Sequence, residues 1–197
     1  MDAEVLIMKS LVLQPTDVAQ WHALVNEAQA ACQCNLDESL ESYLVFLLMR
    51  FAERPDLAGR VMALEFLQAQ QDTGRITMQL RDVGDQCLLF SGLFPQLAER
   101  RLVKVSYFVG IGQAAYDQLA SLVDCHSDRL YSRLAEAFVA IMDVLQAMRG
   151  LSGEAVLQPL AAAELWADTG SQSALRSLGA TTDAFPVSHP RQLKQRH

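Results

Sequence analysis

The sequence predicts an all-α fold, a single compact bundle of about seven to nine helices, and three observations carry that expectation. Apolar residues recur three and four positions apart through most of the chain. Residues that start and stop helices separate these stretches. No segment shows the alternating period of two that a half-buried strand requires, and no internal repeat recurs at a fixed spacing.

In chain order, the first helix is expected over 17–32, where Val18, Trp21, Leu24, Val25, Ala28 and Ala31 share a face behind Pro15 and Thr16. The second runs over 36–53, with Asn35 or Asp37 as cap and Asp37, Glu38 and Glu41 complementing the positive end of its dipole, until Pro55 stops it. Its second half, Tyr43 through Phe51, is apolar on nearly every side, which predicts a central position in the bundle. A third helix is expected over 57–71, closed by Thr73 and Gly74. The fourth, over 75–90, places Ile76, Leu80, Val83, Cys87 and Phe90 on one line, and Ser91 with Gly92 is read as its stop.

Pro95 suits the first turn of a short helix to residue 101. Ser106 is expected to cap a helix over 107–123. A long helix follows, capped by Ser127 or Asp128 and ending at Gly150, with Leu130, Leu134, Phe138, Ile141, Leu145 and Met148 inward. Its Arg129, Arg133, Glu136, Asp143 and Arg149 read as a solvated face. Two short helices, over 159–168 and 171–178, end at Gly170 and Gly179. The expected organisation is a short N-terminal segment (1–14), one helical domain (15–179) and a C-terminal tail (180–197), flexible or ordered by a partner, that carries Arg191, Lys194 and Arg196.

With 197 residues, 51% hydrophobic and 20% charged, the chain can bury one substantial core. A net charge of −7 disfavours nucleic acid and anionic membrane as partners. No apolar run reaches the roughly 18–20 residues of a membrane span. Residues 1–14 open with Asp2 and Glu4 and lack the basic start and cleavage site of an export signal, so a cytoplasmic location is expected. Cys32, Cys34, Cys87 and Cys125 then read as reduced thiols packed in the core.

Candidate chemistry is sparse. Asp124-Cys125-His126-Ser127-Asp128 gathers ligand-type residues at a hinge, yet paired zinc spacings are missing, and a helix stop followed by a cap explains it more simply. Cys32 and Cys34 cannot face each other along a helix. Neither a metal nor a cofactor is therefore expected. Gly110-Ile111-Gly112 lacks the strand and third glycine of a phosphate loop, and Gly84, Gly110 and Gly112 instead suit close helix approach. Arg81 and Asp85, four residues apart, lie nearly opposite the inner stripe; an exposed pair is the simplest account, with a buried ion pair or a functional carboxylate as alternatives. The residues singled out as candidate functional groups are Arg81, Asp82, Asp85, Tyr107, Tyr116 and His126.

Through Arg81-Asp82-Val83-Gly84-Asp85, Leu89, Ser91-Gly92-Leu93-Phe94-Pro95, Arg101, Val105, Tyr107, Ala115-Tyr116 and Trp166 to Ser171, the sequence resembles a bacterial family of compact helical proteins without an assigned function. The resemblance covers residues 36–180 and implies a bacterial origin and a helical fold, with no catalytic residue to carry over. The function expected is that of a non-catalytic helical protein acting through protein contacts, of regulatory or adaptor type, with a partner protein or as a homodimer. The alternative is a binder of a small apolar ligand or cofactor between helices, and an enzyme ranks third.

Overall fold

A computed structural model of the chain describes residues 17–53, 76–96, 98, 102–123, 129–151 and 157–181. Within them the chain is helical, without strands, in the order α1 (Asp17–Cys32), α2 (Glu38–Glu53), α3 (Ile76–Leu93), α4 (Val105–Leu122), α5 (Leu130–Glu136), α6 (Phe138–Leu151), α7 (Pro159–Thr169) and α8 (Gln172–Thr181). The helix expected over 57–71 and the hinge with Cys125 and His126 lie outside the described residues, as do residues 1–14 and the tail beyond Thr181. None of the helices is long and apolar enough to cross a membrane.

The all-α bundle is thus as expected, and its most extensive packing is between α3 and α4. α3 also packs on α6, and α6 on α1. Every residue of α3 from Val83 to Gly92 is buried, so the longest enclosed stretch among the described residues lies in α3, whose first turn leaves Met78 exposed. α2 buries Leu40, Leu44, Val45, Leu47 and Leu48 but leaves Phe46 61% exposed. The all-round apolar pattern there marks an outward-facing aromatic as well as a core face.

Glycines set how closely these helices meet. A Cβ at Gly84 would collide with the Tyr116 ring, one at Gly112 with the Phe138 ring, and one at Gly92 with Leu145. Gly92 therefore continues α3 where the sequence suggested a stop. Ser91 continues it too, because its hydroxyl donates to the Cys87 carbonyl (2.8 Å), which satisfies the side chain inside the core. Gly110 has open space around it and plays no such packing part.

Some of the expected helix ends and faces hold and others change. Asp37 caps α2, its Oδ1 accepting from the Ser39 and Leu40 amides at 3.1 Å each. Ser106 does not cap α4; its hydroxyl donates to Asp168 on α7 (2.8 Å), and Lys104 takes the cap position without a side-chain bond. The long helix expected to end at Gly150 bends at Ala137 into α5 and α6, while backbone bonds from Ala137 to Arg133 (2.8 Å) and from Ile141 to Ala137 (2.9 Å) carry the chain across the bend. Asp143 and Arg149 are buried, not solvated. Asp143 reaches the start of α8, where it accepts from the Ser171 hydroxyl (2.5 Å) and the Gln172 amide (2.8 Å). Ser171 caps α8 as expected, accepting from the Ala174 amide at 3.0 Å, and the helix passes Gly179 to Thr181.

Candidate functional site

Tyr43 and Arg50 stand seven residues apart on α2, two turns on one face, and both reach across to α3. There Asp85, 2% exposed, accepts from the Tyr43 hydroxyl (2.5 Å) and, on the same oxygen, from the Tyr116 hydroxyl of α4 (2.7 Å). Arg50 pairs with its other oxygen and lies 3.8 Å from Asp82. Tyr131 of α5 completes the cluster, its ring centroid 6.5 Å from that of Tyr43 and 6.4 Å from that of Tyr116. Gly84 makes room for the Tyr116 ring, so the residue next to Asp85 decides where the Tyr116 hydroxyl can sit.

The expected exposed Arg81–Asp85 pair is therefore not formed. α3 is enclosed from Val83 to Gly92, so Asp85 faces α2 and α4 and not water, while Arg81, one turn earlier, stays partly exposed. Burial pushes the Asp85 carboxyl above its ordinary range, while Arg50, Tyr43 and Tyr116 pull it back. Burial and the neighbouring Asp85 carboxylate both drive the Tyr43 and Tyr116 hydroxyls upward, so each keeps its proton and donates it. With both oxygens engaged and no solvent access, Asp85 ties α2, α3 and α4 together.

Of the candidate residues, the structure brings Asp85 and Tyr116 together and leaves Asp82 and Arg81 at the edge, 4.0 Å apart. Tyr107 stands away from them, half exposed beside Phe108. His126 lies outside the described residues. Tyr43 and Arg50 were not singled out from sequence; their spacing on one face of an apolar helix was the available signal. Gln29 was missed as well. Buried on α1, it accepts from the Leu36 amide (2.7 Å) and donates to Glu41 (3.2 Å), joining α1 to the start of α2.

Tyr43 also forms a wall of an open groove of about 590 Å³ between α2 and α5. Phe46 and Leu130 give it an apolar floor, and Asp37, Glu38, Ser39 and Arg133 form its rim. Arg133 is held there by Asp37 and by the Ser39 hydroxyl (2.7 Å). Among the described residues no group of three or more His, Cys, Asp or Glu side chains could hold a metal. Cys32, Cys34 and Cys87 are free thiols, and burial raises all three.

Compared with protein-family models, with curated proteins and with solved structures, the chain matches none of them.

Proposed function

We propose that the chain is a non-catalytic, cytoplasmic helical protein of regulatory or adaptor type that acts through protein contacts made at the groove between α2 and α5. The observation that carries this reading is Phe46, an aromatic ring 61% exposed on the floor of a groove with a charged rim. Exposed aromatics ringed by polar side chains are the usual anchors of protein interfaces, where burying the ring supplies most of the affinity. A groove of about 590 Å³ also falls within the size of small-ligand sites, which bury most of the ligand. This one is open to solvent along its length, and the protein reading is favoured for that reason. The partner is another protein or a second copy of the chain.

The test compares three full-length baits against a lysate of the source organism: wild type, Phe46→Asp and Leu160→Asp. Leu160 is 74% exposed on α7 and controls for the loss of any exposed apolar side chain. A protein retained by wild type and by Leu160→Asp but lost from Phe46→Asp is expected. Capture indifferent to Phe46, or none, would remove the reading.

A further inference from the structure

Two features of the groove bear on what occupies it. The first is charge. Its rim holds two carboxylates, Asp37 and Glu38, against one guanidinium. Arg133 is already engaged by Asp37 and Ser39, and Glu38 has no ion-pair partner among the described residues. The rim is thus left with a spare negative charge beside an apolar floor. The second is its distance from the end of α8. Arg176 of α8 donates to the carbonyls of Ala31 (2.8 Å) and Cys32 (3.0 Å), which fixes α8 against the C-terminal end of α1. From Cys32 the chain reaches Asp37 at the groove in five residues, ~18 Å at most. Thr181 lies five helical residues past Arg176, ~7.5 Å.

Residues 182–197 follow, and they span up to ~55 Å when extended, more than enough to reach the groove. They carry Arg191, Lys194 and Arg196 against the single acid Asp183, and include Phe185, Val187 and Leu193 as apolar side chains. Pro186 and Pro190 bias the segment toward an extended backbone, which lowers the entropy lost when it is laid along a groove.

We propose that residues 182–197 of the chain itself occupy the Phe46 groove, apolar side chains against Phe46 and Leu130 and basic ones beside Glu38, and so compete with the partner protein. The competition rests on the reading of the groove as a protein-contact surface; the occupancy itself is tested on the purified chain alone. Tethering makes such a contact effective at modest intrinsic affinity, because the segment is held at high local concentration. Exposed charges are screened beyond about 8–10 Å at physiological salt, so high salt should release the segment.

The experiment places a benzophenone amino acid at position 46 of the full-length chain, a site exposed enough to accept it, and irradiates the purified protein at low and high salt. Adducts within 182–197, in the monomer band, are expected. Their yield should fall several-fold at high salt and in a full-length chain carrying Arg191→Gln, Lys194→Gln and Arg196→Gln. Monomer-band adducts only in other segments, or none, would overturn the proposal. Adducts that join two chains would overturn occupancy by the chain's own segment while leaving the groove a protein-contact surface. Capture from lysate that ignores Phe46 would remove that surface reading separately.

Discussion

Removing the Asp85 carboxylate would strip one acceptor group from three donors at once, Tyr43, Tyr116 and Arg50. Asp85→Ala should therefore cost about 3–5 kcal/mol, the range for breaking a buried pair and leaving its partner charged. Asp85→Asn, which keeps an oxygen to accept the tyrosine hydroxyls, should cost less; urea titration of both checks the order. Since burial raises the carboxyl above its ordinary 3.8, the folded state holds the proton more tightly than the unfolded one. The stability this contributes is fully present below the unfolded value and is lost as pH rises through the folded one. Wild-type stability minus that of Asp85→Asn should accordingly decline as pH is raised from about 3.8, and a flat difference would contradict it. The neighbouring Gln86 is the opposite case. It is 2% exposed and neither of its amide atoms has a hydrogen-bond partner among the described residues, so Gln86→Met, similar in shape and without the desolvated polar atoms, should stabilise the fold by about 1–2 kcal/mol. A loss of stability would mean that the amide is used.

At the scale of elements, α8 shows how a short helix is held from outside. Asp143 on α6 accepts from the Gln172 amide at 2.8 Å and the Ser173 amide at 3.2 Å, bonds that α8 cannot make for itself. Asp143→Ala should cost about 1–2 kcal/mol and speed hydrogen exchange in the first turns of α8 while leaving α3 protected. Equal acceleration in both helices would show that α8 does not depend on this cap. Asp143 also illustrates what sequence periodicity cannot see. The 3.6-residue pattern located α1, α2, α7 and the bodies of α3 and α4, because apolar spacing is a local property. Whether Asp143 or Asp85 faces water depends on which helix lies opposite, and that is fixed by contacts distant in the chain. The bend at Ala137 was hidden for a related reason: the inward positions Leu134, Phe138 and Ile141 keep their spacing through it.

For the whole molecule, Cys32, Cys34, Cys125 and His126 lack the paired spacing of zinc ligands, so chelation should leave the melting temperature unchanged. A large fall, reversed by zinc, would point to Cys125 and His126, which lie outside the described residues. The bundle is assembled through matched pairs at its closest approaches, Gly84 under Tyr116, Gly112 under Phe138 and Gly92 under Leu145. In each pair the volume missing from one helix is supplied by a side chain of another. Such pairs cannot drift independently in evolution. A chain with alanine at position 84 has no space for the Tyr116 ring as it stands, and a smaller residue at 116 removes a donor from Asp85. Among homologous chains these positions should therefore change together or not at all, and position 116 should lose its hydroxyl only where position 85 has lost its carboxylate.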